Sequence, residues 1–465
     1  MRTGTKRRNR FHVITLGCPK NQVDSEGMSA QLLQGGYRLV AHPEGADFII
    51  VNTCGFLETA RQEAIATLRT WITRRRSGQQ VIAAGCLAQL WGAELAQVVP
   101  GLDGIIGTCS WADISLVLEQ LARRASCRNS PVVHVPEVGH VLPDGSIPRL
   151  NGRQPRASAY LKIADGCSAR CAFCLIPTIK GPARSRPREA VLREARELVD
   201  QGVRELILIA QDTTAYGYDR GEREGLATLI GEILRVAPEL RWLRLMYAYP
   251  GRVSNRLIDV MATHSQVCHY LDLPVQHGHP ATLRRMRRPH DVAGLIRCIE
   301  RLRQSMPDIA LRTSLIVGYP GETEEEFQAL LDFMRTVQFD RVGIFSYSRE
   351  PGTPAHELPE QLPEEVKRAR YERAMELQQS ISLARNQAQV GRRLEVLVEG
   401  ANDGISVARS YRDAPEVDGF VLIQEEHPVG SWLNVRVTAA TPYDLIAVHE
   451  ASEDRTSTCA VAEIS

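Results

Sequence analysis

A chain of 465 residues, 43% apolar and 24% charged, has room for roughly two to four domains and lacks the bias of a disordered or fibrous protein. No stretch of about 18 uninterrupted apolar residues is present to span a membrane, and the basic start "MRTGTKRRNR" runs straight into a strand pattern instead of a signal-type apolar core, so a cytoplasmic protein is expected. The net charge of +1 says little about partners, because a basic set with only five lysines among 56 residues is read as the mark of a GC-rich genome in preference to an Arg-driven nucleic-acid surface. Eleven cysteines, an odd number, argue against a complete disulfide framework and for metal or catalytic use.

From residue 11 to 127 the runs "FHVITLGC", "ADFIIVNTC", "QQVIAAGC" and "LDGIIGTC" read as short strands, and stretches such as "FLETARQEAIATLRTWITRRR" as the helices between them. That alternation predicts an N-terminal parallel α/β sheet domain. Cys18, Cys54 and Cys86 each follow a strand, and a parallel sheet places such ends on one edge. Three thiols converging there suit an iron-sulfur cluster with an open iron; buried free cysteine is the plainer alternative, and it fits mid-strand positions better. Cys109 in "GIIGTCSW" has the same placement and is read as packing, with a fourth-ligand role left open. Residues 128 to 157 carry Pro and Gly in a broken rhythm and read as a linker.

Residues 158 to 390 alternate again. "YLKIA", "ELILIAQD", "RWLRLMYAYP", "YLDLPVQ", "ALRTSLIVG" and "RVGIFSYS" give six βα units, a partial (β/α)6 barrel. The last helix, "PEEVKRARYERAMELQQSISLARNQAQ", opens on Pro363 and acidic residues. From 391 to 455 the chain turns β-rich, with "RRLEVLVEG", "GFVLIQ" and "WLNVRVTAA", which predicts a small antiparallel β-barrel. Cys127, Cys268, Cys298 and Cys459 show no ligand spacing and are read as core or surface residues, and "QHGHP" as a loop.

The densest chemistry lies in "DGCSARCAFCLIP". Cys167, Cys171 and Cys174 follow the first barrel strand, on the face where barrel enzymes carry their active sites. Three thiolates can hold a zinc ion or three irons of a 4Fe-4S cluster, and either ordinarily takes a fourth ligand that is missing nearby. Further on, "LIVGYPGETEEEF" ends a strand at Gly318, where a glycine lets backbone approach a ligand, and then offers Thr323 and Glu326 at capping-box spacing. Gln211, Asp212 and Gln276 also end strands on this face, where ligand orientation and turn capping both suit them.

Cys-x3-Cys-x2-Cys with Phe173 before the last cysteine resembles the signature of radical S-adenosylmethionine enzymes. The resemblance implies a 4Fe-4S cluster on Cys167, Cys171 and Cys174 whose open iron chelates S-adenosylmethionine, with Phe173 near the adenine and Gln211, Asp212, Gln276 and Gly318 as further cofactor-binding candidates. "LGCPKNQVDSEGM", "NTCGF" and "AAGCLAQ" are similar to the N-terminal domain of methylthiotransferases, which carry two 4Fe-4S clusters and place a methylthio group on an unactivated carbon. By that likeness Cys18, Cys54 and Cys86 hold the second cluster, and the C-terminal barrel resembles a TRAM domain.

The family divides into enzymes acting on transfer-RNA adenosine and enzymes acting on an aspartate of small-subunit ribosomal protein uS12. Residues 391 to 450 contain five Arg, no Lys and ten acidic residues, the wrong sign for a polyanion and the right one for a basic protein. "AQDTTAYG", "YLDLPVQH", "YSREPGTPA" and "RSYRDAPEVDG" are similar to the protein-modifying branch. The expected activity is methylthiolation of the aspartate β-carbon in uS12, docked partly by the acidic barrel and served by an electron donor, with no membrane partner. Transfer-RNA methylthiolation and a cluster-carrying binding module are the alternatives.

Overall fold

Short runs of β-branched and apolar residues, each ended by a glycine or a polar side chain, build the first sheet. The computed structural model describes residues 9–123, 130–138, 145–149 and 157–450; Cys127, Cys459 and half of the expected linker lie outside the described residues. Strands β1 (Arg10–Thr15), β2 (Arg38–Leu39), β3 (Phe48–Thr53), β4 (Gln80–Gly85), β5 (Gly104–Gly107) and β6 (Val132–His134) pair in parallel in the order 2-1-3-4-5-6. β3 and β4 are buried at every residue, as central strands covered on both faces must be. β6 adds a strand where a linker was expected: only three residues long, it pairs with β5 and buries Val132 at the sheet edge.

The second sheet begins with β7 (Ser158–Lys162), followed by a small antiparallel pair, β8 (Ala164–Asp165) and β9 (Arg184–Ser185). It continues through β10 (Glu205–Ile209), β11 (Trp242–Leu245), β12 (Val267–Asp272), β13 (Ala310–Val317) and β14 (Arg341–Ser346). The order is 14-13-12-11-10-7 and every pairing is parallel, so this is an open, six-stranded partial barrel. All six C-terminal ends therefore face one side. The anticipated capping box forms at the helix Glu324–Val337, with Thr323 Oγ1 accepting from the Glu326 amide at 3.2 Å.

The third unit is a closed barrel of β15 (Arg393–Asn402), β16 (Ile405–Ser410), β17 (Val421–Ile423), β18 (Trp432–Ala440) and β19 (Leu445–His449), in the order 15-16-17-19-18. Four of its pairings are antiparallel, and the pairing of β17 with β19 is parallel. One apolar core runs through all three units, joining Phe11 and Trp111 to Tyr160, Ile207 and Trp242 and on to Leu397. Trp242 and Trp432 meet edge to face at 4.6 Å across the last seam. Glu350 fastens the first: it pairs with Arg61 and accepts the Glu58 amide at 3.0 Å. Among the described residues no helix is long and apolar enough to cross a membrane.

Candidate active site between two thiol triads

The N-terminal triad is assembled by three loops on one sheet edge. Cys18 precedes the helix Pro19–Gln34, Cys54 follows β3, and Cys86 opens the helix Cys86–Trp91. The loops pack so closely that a Cβ on Gly17 would lie 2.8 Å from Cys54 Cβ, and one on Gly85 would lie 2.2 Å from Asn52 Oδ1; both glycines have φ above +90°, a region other residues avoid. Two asparagines lock them together. Asn21 Nδ2 donates to the carbonyls of Leu16 (2.9 Å) and Thr53 (3.1 Å), and Asn52 Nδ2 donates to the Asn21 carbonyl at 2.8 Å. Cys86 Sγ donates to Asn21 Oδ1 at 3.7 Å. Burial pushes the Cys86 thiol up to about 12; Lys180 pulls it back in part, while Cys18 and Cys54 add to the rise. Burial raises Cys54 as well.

The second triad lies in the loop between β8 and the helix Ile176–Lys180. The Cys167 amide donates to the Gly181 carbonyl at 3.0 Å, the Ala172 amide to Met286 at 2.9 Å and the Cys174 amide to Cys171 at 3.2 Å, which fixes the loop's turns. Arg288 Nη1 donates to Cys171 Sγ at 3.7 Å. Burial pushes the Cys174 thiol up to about 12; the Ile176 amide opposes that, and Cys171 and Cys167 add to it.

These donor sets discriminate between metals. Tetrahedral zinc at about 2.3 Å from each sulfur draws thiolates to within about 3.8 Å of one another. Among the described residues, neither triad brings its three Sγ atoms within 4.8 Å of one another. Three soft donors held that far apart fit three corners of a 4Fe-4S cluster; burial raises Cys54 and Cys86 in one triad and Cys167 and Cys174 in the other, and a bound cation would favour their thiolates. Cys109, the other cysteine of this sheet edge, donates instead to the Ile179 carbonyl at 3.8 Å. Cys268 and Cys298 are buried core residues.

The remaining anticipated residues line the same end of the central sheet. Phe173 is half-buried against Ala172, Met286, Tyr319 and Tyr347. Gln211 donates to Asp165 Oδ1 at 3.0 Å and leaves its Oε1 buried without a partner, an acceptor free for a ligand. Asp212 is engaged already, by the Ala215 amide at 3.2 Å, by Thr214 Oγ1 and by Arg252. Gln276 holds φ at +75° and Gly318 at +72°, and the passing Lys367 side chain fills the space a Cβ at Gly318 would need. His277 of the "QHGHP" loop is wholly buried, its Nε2 in no hydrogen bond and 3.8 Å from Glu322 Oε2, and that burial lowers it to about 3.

A group of charges that the sequence did not advertise joins the two triads. Lys162 of β7 pairs with Asp24 of the N-terminal domain and, at 3.1 Å, with Asp165; Lys180 reaches the same carboxylates at 3.5 Å and 3.1 Å. All but Asp165 are buried, and the cysteine loops flank them. Lys20 lies beside them, its Nζ 3.3 Å from the centre of the Tyr247 ring.

Fold and site thus define a protein with one thiol triad on a radical-type partial barrel and another on a docked α/β domain. Residues 161–334 match the radical SAM superfamily, residues 10–107 the uncharacterized protein family UPF0004, and residues 390–449 the TRAM domain. The chain is similar to ribosomal protein uS12 methylthiotransferase RimO of Chloroflexus aurantiacus, 51% identical over 94% of this chain and 98% of the relative. The proteins of that name from Roseiflexus sp. and Heliobacterium modesticaldum are 50% and 46% identical, over 94% and 96% of this chain and 96% of each relative. Among solved structures, the radical S-adenosylmethionine methyltransferase TsrM of Kitasatospora setae, with cobalamin and a [4Fe-4S] cluster bound, shares the fold. Its TM-score is 0.56 at 15% identity, over 86% of this chain and 81% of that one. The chain belongs to the RimO family of ribosomal protein uS12 methylthiotransferases.

Proposed function

We propose that this protein, in the cytoplasm, methylthiolates the β-carbon of an aspartate in ribosomal protein uS12. Family membership over nearly the whole chain supports the reading, and the observation that carries it is the pair of wide thiol triads joined by one seam of buried charge. In this reading Cys167, Cys171 and Cys174 hold one 4Fe-4S cluster and Cys18, Cys54 and Cys86 the other. Phe173, Gln211, Asp212, Gln276 and Gly318 surround S-adenosylmethionine, Gln211 through its spare Oε1. When bound, these groups supply reductive cleavage of S-adenosylmethionine, hydrogen abstraction from carbon, and sulfur and methyl delivery.

The chain's own contribution is position and enclosure. The asparagine locks and glycine contacts hold the N-terminal thiols on one rigid edge, and the Lys162, Lys180, Asp24 and Asp165 network fixes that edge against the central loop. The domains proposed for this work are residues 11–127, 158–390 and 391–455, with 128–157 as the connecting segment, of which Val132–His134 adds β6 to the first sheet.

The acidic barrel serves as a docking surface for basic uS12. Arg409, Arg412 and Asp413 are buried, and the exposed carboxylates of Glu399, Asp403, Glu416, Glu425 and Glu426 outnumber the exposed arginines Arg392, Arg393 and Arg436 on the outer face. Anaerobic incubation with S-adenosylmethionine, a reductant and either uS12 or transfer RNA, read by mass spectrometry, tests the activity. A methylthio group on uS12 alone is expected; one on transfer RNA, or no S-adenosylmethionine cleavage with any substrate, contradicts it.

A further inference from the structure

We propose that Lys20 forms a carboxylate-binding subsite between the two thiol triads and takes the side chain of the substrate aspartate, an inference that rests on the function proposed above. Lys20 is the second residue of the helix that follows Cys18, so the loop carrying the first thiol also sets its place. It is 8% exposed. Its Nζ lies over the Tyr247 ring and donates to the Ala210 carbonyl at 3.4 Å, at the strand end just before Gln211. The group thus reaches from the N-terminal edge to the catalytic face of the central sheet.

Of the cations at this end of the sheet, Lys162, Lys180 and the part-buried Arg312 each hold a carboxylate, while buried Arg288 rests on Cys171 Sγ, the Pro274 carbonyl and the Tyr249 ring. Lys162 and Lys180 share Asp24 and Asp165, and Arg312 holds Asp272 at 2.8 Å, where the Tyr247 amide also donates at 3.1 Å. Among the described residues no carboxylate lies within ion-pair distance of Lys20. An ammonium withdrawn from water loses more than a ring face and one long bond to a neutral carbonyl return, so the pocket lacks an anion.

Two further observations point to a built site. The chain has 56 basic residues but five lysines, and the four that the structure describes, Lys20, Lys162, Lys180 and Lys367, are all buried. Buried arginines such as Arg244 and Arg409 engage carboxylates and carbonyls through a planar fork; lysine offers instead a compact point charge that fits an enclosed space. Tyr247, the floor beneath the ammonium, holds φ at +61°, a costly conformation for a bulky side chain and one that its surroundings must enforce.

The class of ligand follows from the geometry of aspartate. Its β-carbon is bonded directly to the carboxylate carbon, so fixing the carboxylate on Lys20 fixes the reacting C–H bond one atom away, between the triads. The competing occupant is the charge of the Cys18 thiolate itself, in which case Lys20 serves the cluster and not the substrate.

The test uses reconstituted holoenzyme and two forms of uS12, one natural and one with the modified aspartate replaced by asparagine. Wild-type enzyme is expected to bind the natural form about 30-fold or more tightly than the asparagine form. In Lys20→Met that preference falls to within about threefold while iron and sulfide contents stay unchanged; Lys20→Gln repeats the measurement with a polar side chain should the Met variant misfold. Retention of the preference in the variants overturns the subsite, as does loss of iron from the N-terminal triad. Equal binding of both forms by wild-type enzyme overturns it without any variant. Wild-type enzyme that leaves uS12 unmodified contradicts the function itself, whereas modification with equal binding contradicts the subsite alone.

Discussion

Glu205, at the start of β10 in the central sheet, and Arg409, in β16 of the C-terminal barrel, lie 2.6 Å apart with neither side chain exposed. Arg244 holds the same carboxylate from the other side at 2.8 Å and donates to the Tyr411 carbonyl at 2.6 Å. The carboxylate thus pins the barrel to the end of the sheet remote from the thiols. Glu205→Gln leaves Arg244 buried without its counter-ion and Arg409 with Glu399 alone, and should destabilise the protein by about 3–5 kcal/mol. Urea unfolding checks this, and cysteine-bound iron in the folded variant should match wild type.

The same carboxylate sets a limb of acid stability. Burial alone would raise Glu205; the charges of Arg409 and Arg244 overcome that and hold it at about 2, against an ordinary value of 4.5. A carboxyl lowered on folding stabilises the fold where it is ionised, so the contribution is whole above pH 4.5 and is lost as pH falls towards 2. Its size is about 3 kcal/mol. Unfolding free energy measured from pH 6 to 2.5 should fall more steeply in wild type than in Glu205→Gln, because the variant has no such group to protonate.

Gly85→Ala tests the construction of the N-terminal triad. The new Cβ meets Asn52 Oδ1 and the Thr53 carbonyl at a φ of +93°, so the loop before Cys86 must shift. Strain of this kind costs about 1–3 kcal/mol. The variant should retain only about half the iron of wild type, from the Cys167, Cys171 and Cys174 site, by metal analysis after anaerobic reconstitution.

Docking through the acidic barrel predicts a salt effect. Association with uS12 should slow markedly between low salt and about 0.15 M ionic strength, where the screening length is about 8 Å. Reversing Asp403, Glu416 and Glu425 to lysine should slow association further while leaving dissociation nearly unchanged. Stopped-flow or surface-binding kinetics separate the two rates.

Most of the fold was legible because its strands are contiguous apolar runs with abrupt ends, and the triad loops because thiols at strand ends are rare. β6 was not: three residues among prolines carry no periodicity, and only pairing with β5 makes them a strand. β16 and β19 escaped for a related reason, since each is short and partly exposed and gains its order from barrel closure. Lys20 stands in a quoted motif, "LGCPKNQVDSEGM", yet nothing in those letters shows that its ammonium is buried against a tyrosine 227 positions away while its neighbours are paired. Glu350 of "YSREPGTPA" is a similar case, its partners Arg61 and Glu58 lying in another domain. Burial and long-range pairing are properties of the fold and have no local signature.

The division of labour between the triads gives the central claim its most direct test. Iron, sulfide and Mössbauer analysis of anaerobically reconstituted wild type, Cys54→Ala and Cys171→Ala, alongside S-adenosylmethionine cleavage, should find two 4Fe-4S clusters in wild type and one in each variant. Cys54→Ala should cleave S-adenosylmethionine without modifying uS12, and Cys171→Ala should do neither. Zinc or a single cluster in wild type, or full modification of uS12 by Cys54→Ala, would contradict the account.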